Sequence, residues 1–282
     1  MSIIAPRLLS VPEPVPKLLR DLIHEKTGIF FDNDRLVTLL DKLSTRVVAH
    51  RCATYLDYYY ILKYEEEAAS EWLRVMDAFS VPETYFWREA DQLRALVTVV
   101  VPRWFARSPT KPLRIWSAAC ATGEEPYSIV IALQEAGWGT HPIEVRASDA
   151  SEAALEKARA GIYRERSFRS LPDHLRRKYF QTRTGEHRIA PAIAARVSFK
   201  RANLLAEAEI RQLANAEVIF CRNVFIYFSG ASIARVVASI ARQAPPGNHL
   251  FIGASESLIK LPDAYEISEI SDAFVYRRKE HG

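Results

Sequence analysis

The chain has 282 residues, 49% of them hydrophobic and 26% charged, which is enough for a sizeable globular core. Its net charge of +4 lacks the dense basic footprint of a dedicated nucleic-acid binder, and no apolar run reaches the roughly 18 residues of a membrane span. The three cysteines, Cys52, Cys120 and Cys221, have no CxxC spacing, which argues against a disulfide framework and a zinc site. We therefore expect a cytoplasmic protein that uses no metal, binds no nucleic acid and inserts no segment into a membrane.

The first hundred residues are predicted to be helical, because apolar residues recur there at helical spacing. The two clearest series are Leu36, Leu39, Leu40, Leu43 and Val47, followed by Leu93, Leu96, Val97, Val100 and Trp104. On the first predicted helix, 34–50, a basic stripe of Arg35, Lys42 and Arg46 lies beside the leucines. Such a stripe suits an acidic partner helix, although a solvated helix face is the simpler explanation of the same pattern.

From about residue 112 the pattern changes, because short β-rich segments now alternate with helical segments such as 151–160 and 230–243. The predicted strands are LRIWSAA, IEVRASD, RVSFKRAN, AEVIFCRN and HLFIGAS. This alternation is typical of βαβ units on a mostly parallel sheet. The sequence therefore predicts an α/β domain that follows a helical one.

One segment fits neither pattern. It lies between the helix at 151–160 and the strand at 195–200, and it is too long for a simple crossover loop. Within it, Thr184 and Gly185 stand between two short β-rich runs and predict a hairpin tip. We expect a small antiparallel β subdomain, inserted into the α/β domain.

The predicted strands end in residues that suit one shared pocket, because ligands of open α/β sheets bind at the carboxyl ends of the strands. These residues are the small side chains of Ser117–Gly123 with Glu124 and Glu125, then Asp149, Asn203 with Leu204, and Arg222 with Asn223, followed by Tyr227. A single glycine and two carboxylates at a helix start disfavour a pyrophosphate and therefore NAD. They favour a ligand with ribose, adenine, a sulfonium and an ammonium group, which describes S-adenosylmethionine.

Several of these residues, and the upstream Arg88, also have a simpler explanation. Glu124 and Glu125 are favourable charges for the first turn of a helix, and Asp149 is a candidate cap for the helix at 151–160. Tyr227 lies between two apolar residues and is a candidate core residue, while Arg88 and its neighbour Glu89 form a candidate surface ion pair. None of these explanations accounts for the polar residues falling at the ends of successive strands, so we favour the pocket.

Four segments in this order and spacing resemble the CheR-type chemotaxis methyltransferases: SVPETYFWRE, CATGEEPYS, ASDASEAALEKARAGIY and IFCRNVFIYF. The resemblance covers roughly residues 15–278. It implies an all-α N-terminal domain over 1–88, a linker helix and linker over 89–112, and a methyltransferase domain over 113–282. That last domain would be an α/β, Rossmann-like S-adenosylmethionine-dependent sheet with an inserted small antiparallel β subdomain at about 163–194.

The resemblance also implies roles for individual residues. The cofactor would be held by Thr84, Arg88, Glu125 (with Glu124 as a second candidate), Asp149, Asn203, Leu204, Arg222 and Asn223. Arg88 and Tyr227 would lie at the reacting methyl group and act in catalysis.

Two positions depart from the family pattern, since Pro82 stands where many members have Asn and Ala119 stands where Gly is frequent. We expect Ala119 to be tolerated if its φ angle is negative.

The implied reaction moves a methyl group from S-adenosylmethionine to glutamate side chains of chemoreceptors, giving glutamyl methyl esters and S-adenosylhomocysteine in chemotaxis or a related receptor pathway. A glutamate is already ionised at neutral pH, so no general base is needed, and the predicted pocket contains none. The expected partner is the cytoplasmic helical region of a transmembrane receptor, with a receptor C-terminal peptide as a second contact at an edge of the β subdomain. The basic stripe of Arg35, Lys42 and Arg46 would bind that receptor.

Two other functions remain open. A methyltransferase acting on nitrogen of RNA or protein usually has a proline-rich turn where this chain has Arg222, Asn223, Val224 and Phe225. A non-catalytic scaffold that binds the cofactor would have the same pocket residues, so the sequence does not distinguish it from an enzyme. An NAD-dependent oxidoreductase is disfavoured by the glycine-poor turn.

Overall fold

A computed structural model describes residues 11–66, 68–81, 83–258 and 264–279 of the chain. Pro82, one of the two departures from the family pattern, lies outside these residues. Across the described ranges, no helix is both long enough and apolar enough to cross a membrane.

Helices build the N-terminal part of the molecule, as the apolar spacing predicts. They are α1 (Pro14–Thr27), α2 (Leu36–Ala49), α3 (Tyr55–Tyr64) and α4 (Ala68–Phe79). Their apolar faces meet in one core, in which Leu19, Leu39, Leu43, Tyr58 and Val75 are fully buried. The core holds the four helices together as one domain.

A long helical segment leads from this domain to the sheet. It consists of α5 (Ala90–Ala95), a π-helical turn at Leu96–Val100 and α6 (Val101–Arg107). The second apolar series in the sequence predicts a helix here, and the structure confirms it. The π turn inserts an extra residue into the helical turn and is not visible in the apolar pattern.

Ten strands form two sheets among the described residues. The strands in chain order are β1 (Leu113–Ala118), β2 (Ile143–Asp149), β3 (Ile162–Tyr163), β4 (Phe180–Arg183), β5 (Glu186–Ile189), β6 (Val197–Arg201), β7 (Val218–Cys221), β8 (His249–Phe251), β9 (Tyr265–Ile270) and β10 (Ala273–Arg278). The large sheet has the order β6-β2-β1-β7-β8-β10-β9, and the small sheet has the order β3-β5-β4. Strand β10 is antiparallel to β8 and β9, while β6, β2, β1, β7 and β8 are parallel. This is the predicted α/β fold.

Helices cover both faces of the large sheet. The remaining helices are α7 (Glu124–Glu135), α8 (Glu152–Ala160), α9 (Asp173–Tyr179), α10 (Pro191–Ala194), α11 (Glu207–Ala214) and α12 (Gly230–Gln243). Consecutive residues of β1 point to opposite faces, so Ile115 packs in the core shared with α7 and Trp116 packs in the core shared with α11 and α12. Because both faces of the sheet are buried, the parallel strands appear in the sequence as continuous apolar runs.

The insertion forms the small antiparallel sheet that the sequence predicts. Strands β4 and β5 make a hairpin, and its tip residues Thr184 and Gly185 have φ angles of 45° and 77°, as a tight two-residue turn requires. The two-residue strand β3 completes the sheet and is missed by the sequence analysis because it directly follows α8. The small sheet buries Phe86, whose ring lies 4.8 Å from that of Tyr163 and 4.9 Å from that of Phe180.

Polar contacts join the helical domain to the α/β domain. In the first, Oδ1 of Asp77 accepts hydrogen bonds from Oγ of Ser151 at 2.7 Å and from N of Ala153 at 3.1 Å, at the start of α8. In the second, Nε2 of His24 and Oγ of Ser229 share a hydrogen bond of 2.8 Å at the start of α12. These contacts place the helical domain over the carboxyl ends of the strands and create a cleft there.

Candidate active site

Two adjoining cavities lie in this cleft, where the strand order reverses between β1 and β7. The wide cavity has about 1040 Å³ of empty space, including its mouth, and its apolar lining is Phe30, Phe31, Met76, Phe79, Leu204, Val224 and Phe228. The narrow cavity has about 540 Å³, and its polar lining includes Thr84, Arg88, Glu125, Ser128, Arg222 and Asn223. Both cavities are lined by Val81, Ala119, Ala121 and Asn223, so they form one continuous groove.

The wide cavity is enclosed by both domains. Phe30, Phe31 and Phe79 come from the helical domain, while Leu204 and Phe228 come from the α/β domain. Largely apolar walls of this kind suit a flat heterocycle such as adenine. The sequence analysis assigns only Thr84 and Arg88 of residues 1–88 to the cofactor, and it does not identify the apolar wall that Phe30, Phe31 and Phe79 provide.

Asp149 lies at the end of β2 beside the wide cavity. Its Oδ2 accepts a hydrogen bond from N of Ala121 at 2.8 Å, and its Oδ1 accepts one from N of Ser151 at 2.9 Å. Burial raises the pKa of Asp149, and these N–H groups oppose part of the rise. The cap of α8 is Ser151, whose Oγ accepts from N of Ala154, so the capping explanation of Asp149 does not hold. A carboxylate has about four acceptor positions, which leaves capacity for ribose hydroxyls.

The turn between β1 and α7 has an unusual backbone. Ala119 and Ala121 have φ angles of 54° and 48°, and Gly123 has 91°. The condition under which Ala119 is expected to be tolerated, a negative φ, is therefore not met, because this turn brings its residues into the left-handed region. An alanine there is strained by about 1 kcal/mol relative to glycine. The repeated left-handed residues turn the backbone sharply, so that it lines both cavities.

The adjacent glutamates of this turn have different surroundings. Glu124 is 2% exposed and accepts a hydrogen bond from Oγ1 of Thr122, in the turn before α7, at 2.6 Å. It accepts a second from Oγ of Ser167 at 3.0 Å, which joins α7 to the insertion. Glu125 accepts one from Oγ of Ser117 at 2.6 Å and lines the narrow cavity. Burial raises the pKa of both carboxyls. The structure therefore places Glu125 at the groove and gives Glu124 a structural role.

Arg222 is the buried cation of the narrow cavity. Its Nη1 lies 3.6 Å from Oε2 of Glu125, and its Nη2 lies 3.3 Å from Oε2 of Glu89 and donates to the carbonyl oxygen of Arg88 at 2.6 Å. Its Nε has no hydrogen-bond partner among the described residues. Arg222 thus faces two carboxylates, of which Glu125 lines the narrow cavity and is placed to meet a cationic ligand group.

The segment 83–89 closes the narrow cavity on its outer side. Phe86 anchors it in the aromatic core of the insertion, and N of Trp87 donates to Oγ of Ser128 at 3.0 Å. Thr84 and Arg88 line the cavity from this segment. The Nη1 of Arg88 donates to the carbonyl oxygen of Glu83 at 3.1 Å, whereas the proposed ion pair with Glu89 is long, at 4.0 Å.

Aromatic and cationic groups meet at the outer end of the narrow cavity. The guanidinium carbon of Arg169 lies 3.8 Å from the ring centroid of Tyr85, and that of Arg88 lies 5.4 Å from the same centroid. The sequence analysis missed Tyr85 and Arg169. Tyr85 is part of the PETYFWRE segment, but Arg169 comes from the insertion, and only the folded chain brings the two together.

The loops after β6 and β7 complete the groove. Leu204 and Tyr227 line the wide cavity, and no hydrogen bond to the Tyr227 hydroxyl is present within the described residues. Asn203 also lines it, but its side chain is already engaged, because Nδ2 donates to the carbonyl oxygen of Lys26 and Oδ1 accepts from N of Leu205. Asn223 has a φ angle of 57° and lines both cavities.

Glu256, which the sequence analysis missed, shapes the loop after β7. Its carboxylate accepts hydrogen bonds from N of Asn223 at 2.8 Å, of Phe225 at 2.7 Å and of Gly253 at 2.7 Å. This single side chain therefore fixes two neighbouring loops at the carboxyl edge of the sheet. Its position after a strand end, in GASES, is the sequence signal that would have identified it.

The structure revises the predicted basic stripe on α2. Arg46 is turned toward α4, where its Nε and Nη2 donate to Glu71 at 2.9 and 2.6 Å. Burial acts to raise the pKa of Glu71, but hydrogen bonds from Arg46, Tyr58 and His50 outweigh it and lower the pKa to about 2. Arg46 thus belongs to an internal network. Arg35 and Lys42 instead line the wide cavity.

The groove fits S-adenosylmethionine by its donors and acceptors. The apolar wide cavity suits adenine, Asp149 has capacity for ribose hydroxyls, and the carboxylate of Glu125 faces the narrow end, where an ammonium group would bind. Within the described ranges, no cluster of histidine, cysteine, aspartate and glutamate could hold a metal ion.

Comparisons with known proteins agree with this geometry. The family model described as CheR methyltransferase, SAM binding domain, matches residues 82–274, and that described as CheR methyltransferase, all-alpha domain, matches 17–80. Chemotaxis protein methyltransferase 2 of Vibrio cholerae is 36% identical over 93% of this chain and 92% of its own length. Chemotaxis protein methyltransferase 1 of Pseudomonas aeruginosa is 36% identical over 73% of this chain and 77% of its own. WspC of Pseudomonas aeruginosa, named for biofilm formation, is 33% identical over 72% of this chain, which matches 48% of that protein.

Proposed function

The chain belongs to the CheR methyltransferase family and is an S-adenosylmethionine-dependent methyltransferase, and we propose that its acceptors are glutamate side chains of chemoreceptors. The products would be glutamyl methyl esters and S-adenosylhomocysteine. One observation supports this proposal most strongly: Arg88 and Arg169 lie against Tyr85 at the outer end of the narrow cavity, where an acceptor carboxylate would enter.

We assign the cofactor contacts by charge and by surroundings. Glu125 would accept hydrogen bonds from the ammonium group, and Arg222, held against Glu125 and Glu89, would meet the carboxylate. Asp149 would accept the ribose hydroxyls. Thr84, Asn203, Leu204 and Asn223 would complete the contacts from the walls of the groove, with Asn203 contributing backbone because its side chain is engaged.

The reaction needs alignment rather than proton transfer. When bound, S-adenosylmethionine supplies a methyl group made electrophilic by the sulfonium, and a glutamate carboxylate is already an anionic nucleophile at neutral pH. Arg88 would hold one oxygen of that carboxylate, and the Tyr227 hydroxyl would orient it. Positioning of two reactants can lower a barrier by roughly 7–11 kcal/mol in favourable cases, so these residues suffice without a base.

Arg169 extends this assignment to the insertion. Its side chain is 49% exposed, lies 3.8 Å from Oε1 of Glu83 and rests on the Tyr85 ring. An exposed cation at this place would attract an acidic acceptor to the groove without contacting the reacting atoms. We therefore assign Arg169 a role in acceptor binding, with Arg88 acting at the methyl group.

The receptor would approach over the helical domain. Arg35 and Lys42 line the mouth of the wide cavity and are the proposed contacts for an acidic receptor helix, whereas Arg46 leaves this set because Glu71 engages it. A receptor C-terminal peptide would add to β4, which pairs only with β5 in the small sheet. The relatives' names support chemotaxis or another receptor-controlled pathway as the setting.

The test is methyl transfer from labelled S-adenosylmethionine to a panel of receptor cytoplasmic fragments, followed by mild alkali. Glutamyl methyl esters hydrolyse under these conditions and release the label, while N-methyl groups retain it. We expect alkali-labile label on the receptor fragment. Alkali-stable label would instead indicate an amine acceptor, and absence of transfer by protein that binds the cofactor would favour the scaffold function.

A further inference from the structure

A second large cavity lies at the amino ends of the strands, opposite the active site. It has about 1340 Å³ of empty space, including its mouth, and the starts of β1, β7 and β8 form its floor at Leu113, Val218 and His249. Helix α6 forms one wall, and strand β9 forms the other. No residue of the active-site groove lines it. We call it the amino-edge cavity.

Three arginines converge on the amino-edge cavity. Arg103 and Arg107 are exposed, lie one turn apart on α6 and make no ion pair with any described residue. Arg277 reaches the cavity from β10, where it pairs directly with His249 of β8. Burial and these three arginines lower the pKa of His249 to about 4, so the imidazole is neutral at physiological pH. The cations thus surround one neutral, partly buried ring.

The carboxylates around the cavity only partly offset these cations. Glu217 is engaged by Arg114, which donates to it from N at 2.8 Å and from Nε at 3.1 Å. Glu266 lies 3.8 Å from Nη1 of Arg277, a long ion pair on the β9 wall. Glu269 is exposed on the same wall. The α6 side, with Arg103 and Arg107, therefore keeps two arginines that an anionic ligand can engage.

We propose that the amino-edge cavity binds a small molecule that carries a phosphate or pyrophosphate group, held by Arg103, Arg107 and Arg277. Guanidinium groups match phosphate oxygens in geometry and stay charged at every physiological pH. His249 donates a hydrogen bond from its neutral ring, while Trp104 and Val100 provide an apolar wall for the organic part of the ligand. The site is separate from the cofactor groove, so the ligand binds alongside S-adenosylhomocysteine.

Calorimetric titration of the full chain with inorganic pyrophosphate and with ATP tests this proposal. Saturating S-adenosylhomocysteine is present throughout, so that the adenine of ATP cannot enter the wide cavity. The variant is the double substitution Arg103→Gln and Arg107→Gln, whose positions are exposed and make no ion pair with the described residues. The matched control is Arg183→Gln, which removes an exposed arginine of the small sheet that does not line the cavity.

We expect saturable binding of one equivalent by the wild type and by the control. The double variant should bind both probes roughly tenfold or more weakly, because two charge-assisted contacts are lost. In NMR spectra, the His249 ring signals should shift on addition of pyrophosphate, a readout that needs no variant. Absence of saturable binding would overturn the proposal. So would equal affinity in the double variant, or preference for an acidic peptide over pyrophosphate.

Discussion

The two halves of the groove offer a ligand different surroundings. The wide cavity has apolar walls from two domains, and its one carboxylate, Asp149, is fixed by backbone N–H groups. The narrow cavity is lined by residues from 81–93 and by the carboxyl ends of β1 and β7 with the start of α7, and its charged groups include Glu125, Arg222 and Arg88. We therefore propose that shape and domain docking recognise adenosine, while charge recognises the methionine part and the acceptor.

This difference predicts which substitutions affect cofactor binding, which affect turnover and which affect the contact between the domains. Substitutions in the narrow cavity should alter charge and therefore cofactor affinity or turnover, with little effect on how the domains meet. Substitutions at the domain interface should loosen the wide cavity and leave the narrow one intact. The following experiments separate the two halves, beginning with the largest expected effect.

Arg88→Ala should lower turnover by roughly 100-fold, because a charge-assisted hydrogen bond is worth about 1.5–3 kcal/mol and 1.4 kcal/mol corresponds to a factor of ten. Affinity for S-adenosylhomocysteine should stay within a few-fold, since Glu125 and Arg222 are retained. Single-turnover methylation and calorimetry measure the two quantities. The control is Arg94→Ala, which removes a 57% exposed arginine of α5. Unchanged turnover in Arg88→Ala would refute the assigned role.

Asp77→Ala should weaken S-adenosylhomocysteine binding by about tenfold. The loss of a helix-capping contact costs about 0.5–2 kcal/mol, and here the cap of α8 also fixes the helical domain over the wide cavity. The matched control is Asp57→Ala, which removes a capping box inside the helical domain whose residues, Thr54 and Asp57, do not line the groove. If both variants lose affinity equally, domain docking is not the cause.

Acidification should weaken cofactor binding while it stabilises the ligand-free protein. Burial raises the folded-state pKa of Glu125 and of Asp149 above their unfolded values, so between those values the folded state binds more protons. Stability of the free protein therefore rises as pH falls through the folded pKa. Affinity falls in the same range because the cofactor needs the charged carboxylates. Urea denaturation and calorimetry over one pH series would show opposite slopes; parallel slopes would contradict the assignment.

Ala119→Gly should have the smallest effect, a gain of about 0.5 kcal/mol in stability. Glycine relieves left-handed strain of about 1 kcal/mol at φ 54°, and its greater freedom in the unfolded chain cancels part of that gain. Ala118→Gly, one residue earlier in β1 and 1% exposed, should instead be destabilising. Urea denaturation of the pair measures both effects. A destabilised Ala119→Gly would show that the alanine side chain contributes packing.

The sequence predicts those parts of the site that depend on local patterns. Strand ends such as Asp149 and Arg222 are identified because apolar runs stop there, and the carboxyl ends of parallel strands meet at one edge. The hairpin at Thr184 and Gly185 is predicted for a similar reason, since two-residue turns have a narrow residue preference. The roles of the individual residues are then inferred from the family resemblance.

Other features depend on pairs of residues that are distant in the chain. The helical wheel of α2 places Arg46 with Lys42, yet Glu71 of α4 attracts Arg46 inward through two hydrogen bonds. Asp77 acts on α8, some 75 residues later, and no spacing rule predicts that contact. Ala119 has a positive φ in a turn whose Ala121 N–H donates to Asp149 of the neighbouring strand, and that contact is visible only once the strand pairing is known.

One measurement tests the central claim most directly: affinity for S-adenosylhomocysteine in Glu125→Gln and in Glu124→Gln. The two carboxyls are adjacent and buried, and burial raises the pKa of each, but only Glu125 lines the narrow cavity. We predict a loss of about 10-fold to 100-fold for Glu125→Gln and nearly unchanged affinity for Glu124→Gln. Equal losses, or a larger loss in Glu124→Gln, would contradict recognition of the cofactor by the charge of the narrow cavity.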